Sequence, residues 1–173
     1  MNQKRSSELA RTGFEQFEAG KYSEAEASYR EALVLADPNH WAVEDYHGEF
    51  SLVLRALGKT DEALEQLKLS LAAALNAASD NTDLNVTIAR HFLAEYLVEL
   101  GQYDQAILSV RPYLGTGCEK EWLLSIPLVR SYLRMGHPDL ARQAMEEALE
   151  KMPNEESADI RQRFQNTVAG ENS

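Results

Sequence analysis

The chain has 173 residues, 44% of them hydrophobic, enough to bury the core of one ordinary domain. Its 28 acidic residues outnumber 17 basic ones, giving a formal net charge of −11 at pH 7, which repels phosphate backbones and anionic lipid headgroups and argues against nucleic-acid and membrane-surface partners. The longest uninterrupted apolar run, Leu71 to Leu75, is far shorter than the roughly 20 residues that a membrane-spanning helix needs. Met1-Asn-Gln-Lys-Arg-Ser-Ser-Glu is followed by no apolar stretch and no cleavage site, so a cytoplasmic location is expected. The single Cys118 has no internal disulfide partner, which fits a reducing compartment.

Apolar residues recur three and four apart with no persistent strand-like alternation, and this predicts about nine helices. Leu9, Phe14 and Phe17 lie on a first helix ending before Gly20, and Ala25, Tyr29, Ala32 and Leu33 mark one face of a second. Gly20 suits the left-handed position just past a helix end, with Ser23 or a neighbour as the next N-cap. Further helices are predicted from Trp41 to Leu57 and Asp61 to Ala78, with Gly58 between them and Thr60 as a cap. Asp83 to Leu100 and Asp104 to Leu114 flank Gly101, and Glu119 to Met135 and Asp139 to Met152 flank Gly136. Asp37-Pro38-Asn39 and Met152-Pro153-Asn154 are stop signals. A last helix is predicted at about 155–168.

Pro127 falls inside the seventh of these helices, where it removes a backbone hydrogen bond. Helical spacing of Trp122, Leu123 and Ile126 favours a kinked helix; the alternative is a helix that starts near Ile126 with Ser125 as its cap.

A second regularity overlies the helices. Gly, Ala five residues later and Leu thirteen residues later recur at Gly20/Ala25/Leu33, Gly58/Ala63/Leu71, Gly101/Ala106/Leu114 and Gly136/Ala141/Leu149. Such repetition marks units that cannot bury their apolar faces alone and must stack on one another. In the first unit Gly13, Gly20-Lys21-Tyr22, Ala25, Tyr29, Ala32 and Asp37-Pro38 stand at the offsets of a known pattern. Tyr132, Gly136, Ala141, Ala148, Leu149 and Pro153 do so in the fourth, and Leu93, Ala94, Leu97, Gly101, Tyr103 and Ala106 in the third.

On these residues the chain resembles the tetratricopeptide repeat family over nearly its whole length. The resemblance implies an all-α fold, a right-handed α-α superhelix of helical hairpins, in one domain. Its repeats would span about 6–39, 40–80, 82–115 and 118–153, with a C-terminal capping helix at about 155–168. The chain also departs from the pattern. Its turn glycines are 38, 43 and 35 residues apart instead of a constant ~34. Ser70 and Tyr113 replace the second packing Ala, and Leu9, His47, Arg90 and Ser125 stand where the family's early Trp would be.

The resemblance implies that the first helix of each hairpin lines an inner groove that holds a protein or peptide. The inward positions are Ala10, Phe14 and Phe17, then Asp45, Gly48, Leu52 and Arg55. Ile88, His91, Glu95 and Glu99 follow from the third repeat, and Leu123, Ile126, Arg130 and Arg134 from the fourth. Family members that clamp a terminal carboxylate use Lys and Asn at several such places, where this chain has Ala10, Phe14 and Glu49, so a clamp of that type is not expected. Arg130 and Arg134, one turn apart, either present parallel forks to a ligand's carboxylate or pair with Glu95 and Glu99. Phe14 and Phe17 either meet a ligand or pack between helices.

No catalytic constellation or cofactor motif stands out, so no enzymatic activity and no cofactor are expected. His40, Glu44 and His47, at i, i+4 and i+7, would share a helix face, but no metal site is expected from so common a coincidence. Cys118 has no His nearby in sequence and an acid, Glu119, beside it, which points to a structural thiol. Two function classes follow: a binding scaffold or adaptor, and a self-associating protein whose homo-oligomer buries Phe14, Phe17 or Phe164.

Overall fold

The computed structural model describes residues 1–152 together with 158, 161 and 162. The described residues form eight α-helices and no strand: α1 Gln3–Glu18, α2 Tyr22–Leu35, α3 Val43–Ala56, α4 Thr60–Ala77, α5 Leu84–Glu99, α6 Tyr103–Val110, α7 Trp122–Arg134 and α8 Pro138–Lys151. The expected ninth helix and Phe164 lie outside the described residues.

One turn, used four times, accounts for the Gly and Ala spacing. Gly20, Gly58, Gly101 and Gly136 have φ of 74°, 72°, 72° and 78°, a region that costs an L side chain steric strain and glycine little. In the first turn the Gly20 amide donates to the Phe17 carbonyl at 2.9 Å and the Lys21 amide to the Gln16 carbonyl at 2.8 Å. This is the paired closure of a Schellman motif, and Gly58/Lys59, Gly101/Gln102 and Gly136/His137 repeat it. The residue after each glycine then opens the next helix, its carbonyl accepting from the Ala amide four residues on. Ala25 donates to Lys21, Ala63 to Lys59, Ala106 to Gln102 and Ala141 to His137, at 2.9 to 3.1 Å. These four Ala are at most 1% exposed, so the helices of a pair approach closely there.

This closure corrects the expected caps. Ser23 and Thr60 sit inside their helices, because Lys21 and Lys59 already hold the N-cap positions, without a side-chain bond. Pro138 takes the first helical position as expected.

The chain falls into two compact units, Met1–Ser79 and Asp80–Ser173. In the first, α1 pairs with α2 and α3 with α4, while α2 and α1 also touch α3. Its core holds the fully buried Tyr29, Phe50, Val53 and Leu54. The Tyr29 ring fits only because position 13 lacks a side chain: a Cβ on Gly13 would come within 2.8 Å of it. Ser70, where the pattern has Ala, is 5% exposed and donates its hydroxyl to the Glu44 carbonyl at 3.1 Å, so the polar substitution is satisfied.

In the second unit α5 pairs with α6 and α7 with α8, and α7 also packs on both α5 and α6. Leu124, Leu128, Val129 and Tyr132 of α7 and Ala141, Ala144 and Ala148 of α8 build its core with Ala94 and Val110. The sixth helix is shorter than expected. It ends at Val110, and Arg111–Tyr113 form one 3-10 turn around Pro112, whose missing amide interrupts the α ladder; Leu114 is extended, outside any helix. The two departures of this repeat meet here. Buried Arg90 lays its guanidinium over the Tyr113 ring, 3.3 Å from the centroid, and Nη1 reaches the Ser109 carbonyl at 3.5 Å.

Candidate functional site

In the first unit the inward residues of α1 and α3 border an open concavity of about 440 Å³. Ala10, Arg11 and Phe14 come from α1, His40 and Trp41 from the α2–α3 connection, and Asp45, Tyr46 and Glu49 from α3. The walls are held by specific bonds. Ser6 Oγ donates to the Ala32 carbonyl at 2.8 Å and fixes α1 on α2. Buried Tyr46 donates its hydroxyl to Ser7 Oγ at 2.9 Å and fixes α3 on α1. Tyr29, seated against Gly13 and stacked on Phe50 with centroids 5.8 Å apart, donates its hydroxyl to Glu49 Oε2 at 2.9 Å.

The concavity combines exposed aromatic surface with two carboxylates. Trp41 is 71% exposed and Phe14 38%, and the Trp41 ring lies 5.3 Å from that of His40. Asp45 and Glu49 are one turn apart on α3. Asp45 is exposed overall, and partial desolvation of its carboxyl against the wall of the concavity raises it above its ordinary range. Burial also raises Glu49, the Tyr29 hydroxyl draws it back, and repulsion from Asp45 adds to the rise. The hydroxyl of Tyr29, buried and facing that carboxylate, is pushed far above the usual phenol range.

Of the expected groove residues in this unit, Ala10, Phe14 and Asp45 meet in the concavity. Phe17 instead packs half-buried against Tyr22 across the first turn, with ring centroids 5.7 Å apart. Arg55 is exposed in the last turn of α3, and Leu52 is 39% exposed. Trp41, expected to open the third helix, lies instead in the connection before it, because α3 begins only at Val43. The available signal was a Trp placed directly after Asp37-Pro38-Asn39, in a connection where a large ring has no helix face to pack on.

In the second unit the equivalent positions tie helices together. His91 on α5 faces the Leu123 carbonyl of α7 at 2.9 Å. A carbonyl only accepts, so Nδ1 carries the proton. Leu123 stands four residues before Pro127, and its carbonyl is the one left without an intrahelical partner because Pro127 has no amide hydrogen. The imidazole takes the place of the missing donor. The helix thus runs from Trp122 through Arg134 with Pro127 inside it, and the alternative start near Ile126 is not adopted. Burial pushes the His91 pKa down; the Leu123 bond opposes this, and the charge of Arg130 adds to it.

Glu95 and Arg130 form an ion pair between α5 and α7, with Arg130 Nη1 donating to Glu95 Oε2 and side chains 19% and 25% exposed. Of the two roles considered for Arg130, the structure displays pairing with Glu95. Glu99 and Arg134 are exposed near the ends of the same two helices.

The metal register does not form. His40 precedes α3 and accepts the Ala42 amide on Nδ1 at 3.2 Å, and His47 Nδ1 faces Gln66 Oε1 at 2.7 Å. No group of three or more potential metal ligands occurs among the described residues. Cys118 is buried in the α6–α7 connection, its Sγ 3.1 Å from Thr116 Oγ1. Glu121 organises that connection. Burial alone would raise its carboxyl, but the Gly115 and Gly117 amides and the Lys151 ammonium outweigh it and hold the carboxyl below its ordinary range. No helix among the described residues is long and apolar enough to cross a membrane.

Compared with known proteins, the sequence matches no family model and has no significant match among curated sequences.

Proposed function

We propose that the chain is a tetratricopeptide-like repeat protein, a right-handed α-α superhelix that acts as a non-enzymatic scaffold or adaptor in the cytoplasm. Its inner helices hold a segment of another protein. The observation that carries this reading is the concavity bordered by Phe14 of α1 and Asp45 of α3, inward positions of two consecutive hairpins. The four identical Schellman turns, each followed by a fully packed Ala, support the family resemblance.

Panning a random peptide library against the whole chain tests it. Retained peptides should be lost when Phe14→Ala/Trp41→Ala removes the exposed aromatic surface of the concavity, while the thermal transition stays in place. A library that yields no retained peptide would sink the reading.

Self-association is the second reading, favoured by exposed apolar side chains: Phe92 at 54% and Leu108 at 71% in the second unit, and Trp41 in the first. A monomer mass that is independent of concentration in analytical ultracentrifugation rules it out.

A further inference from the structure

Resting on peptide recognition as the function, we propose that the first-unit concavity selects a basic side chain, Lys or Arg, flanked by a bulky apolar residue in an extended segment of the partner. The observations are the two carboxylates of Asp45 and Glu49 in one concavity and the exposed rings of Trp41 and Phe14 beside them.

Each alternative ligand chemistry meets a specific penalty. A purely apolar ligand would cover the carboxylates without compensation, and a buried charge that lacks a partner is strongly unfavourable. An acidic ligand would add a third negative charge to the site on a chain already at −11. A cation removes both costs. It compensates the desolvation that any docked segment imposes on Asp45 and Glu49 and relieves their mutual repulsion, and its stem packs on ring faces that also attract positive charge.

The concavity has little positive charge of its own to do this. Arg11, on the α1 wall, is 75% exposed and lies 3.9 Å from Glu15, one turn along its own helix. The Tyr29 hydroxyl donates to Glu49 Oε2 and holds that carboxylate in one orientation, so a guanidinium or ammonium meets a preset acceptor. The flanking apolar residue is required by the area of Trp41 and Phe14 left open to water, which a single ammonium cannot cover.

The same random-library panning separates this inference from the reading beneath it. The expected result is enrichment of Lys or Arg next to an aromatic or branched aliphatic residue. A synthetic peptide of the enriched sequence should bind the full chain with an affinity that falls with added salt. It should lose about tenfold or more in Asp45→Asn/Glu49→Gln, a change that keeps side-chain shape and an acceptor for Tyr29. Trp41→Ala should weaken it independently, and Trp41 fluorescence should shift on binding where Trp41→Phe, which retains Trp122, shows no shift. Unchanged melting temperatures establish that the variants are folded.

Retained peptides with no charge preference or an acidic one, or binding indifferent to Asp45→Asn/Glu49→Gln, would overturn the inference while leaving peptide recognition standing. No retained peptide would overturn both. A dimer that dissociates in Trp41→Ala would assign the concavity to a second copy of the chain and likewise overturn it.

Discussion

The inner helices of the two units use their polar side chains in opposite ways. In the first, Phe14, Asp45 and Glu49 face an open concavity, and Tyr29, reaching out from the core, engages the Glu49 carboxylate there. In the second, His91 and Glu95 of α5 are engaged by α7, one by a backbone carbonyl and the other by Arg130. The inner helices therefore leave their carboxylates facing an open concavity in one half and use theirs for helix-to-helix attachment in the other. A family's inward positions say where a ligand has access; the partners found by each side chain say whether it is available. On that criterion the Arg130 and Arg134 end is the poorer place to look for a ligand. Arg130→Glu would set like charges side by side with Glu95 and disturb the fold before it reported on binding.

The largest expected effect lies in the first unit. Tyr29→Ala removes a fully buried ring and should cost about 3–5 kcal/mol, as large-to-small core changes do. Tyr29→Phe keeps the packing and removes only the hydroxyl, so about 1 kcal/mol is expected. Gly13→Ala approaches the same contact from the other side. The better helix propensity of Ala, worth about 1 kcal/mol, is set against a Cβ placed 2.8 Å from the Tyr29 ring. Overpacking of that kind costs about 1–3 kcal/mol, so net destabilisation is expected in urea denaturation. A Gly13→Ala protein at least as stable as wild type would show that Tyr29 is not seated as described.

Next in size is the α5–α7 ion pair. Glu95→Gln removes the charge that pairs with Arg130 in a site where both side chains are at most a quarter exposed, and about 1–3 kcal/mol should be lost. Glu95→Leu/Arg130→Met replaces both members with apolar groups and should recover most of it. No equivalent loss is expected from Asp45→Asn, because that residue is exposed and its surroundings raise its carboxyl, disfavouring the charged form. Equal effects at Glu95 and Asp45 would erase the distinction between the units.

Much of the fold is legible in the sequence, and the turns explain why. A Schellman closure that runs directly into the next helix requires a left-handed residue at one position and a close-packing one five residues later, so Gly and Ala carry the geometry on their own. Among the described residues, helix ends fall within one or two residues of expectation except at Glu119, three residues before α7, and where Pro112 cuts α6 short. The site is only half legible. Phe14 and Asp45 follow from repeat offsets, but the bonds that decide availability join residues 20 apart for Tyr29 and Glu49, 32 for His91 and Leu123, and 35 for Glu95 and Arg130. None leaves a periodic trace, because each depends on how two helices are superposed. Arg90 and Tyr113 looked like separate departures for the same reason and are one contact.

His91 and Pro127 offer a finer test, since each accounts for the other. His91→Leu leaves the Leu123 carbonyl without its donor and should cost about 1–3 kcal/mol. Pro127→Ala restores an amide that can bond that carbonyl within α7. In the Pro127→Ala background His91→Leu should therefore cost less, with a coupling of about 1 kcal/mol in a double-mutant cycle. Strict additivity would mean that the imidazole does not stand in for the missing amide.

The smallest expected effect is in pH dependence, where opposing titrations partly cancel. Burial depresses His91, and also His47 despite its bond to Gln66. A depressed imidazole protonates first in the unfolded chain, so its stabilisation is full above the ordinary value of about 6.5 and declines as pH falls through it. Asp45 and Glu49 are raised instead. In the window between their ordinary and raised values the folded chain binds more protons, so acidification there adds stability. Asp45 and Glu49 face each other, Tyr29 and the open concavity, whereas His91 faces Arg130 and the Leu123 carbonyl, so the two effects can be removed separately. His91→Gln, whose amide can still donate to that carbonyl, should reduce the loss of urea stability between neutral and mildly acid pH. Asp45→Asn/Glu49→Gln should make that loss steeper. If both variants changed the slope in the same direction, the carboxylates of the first unit would be paired like those of the second, and the open site would have to be sought elsewhere.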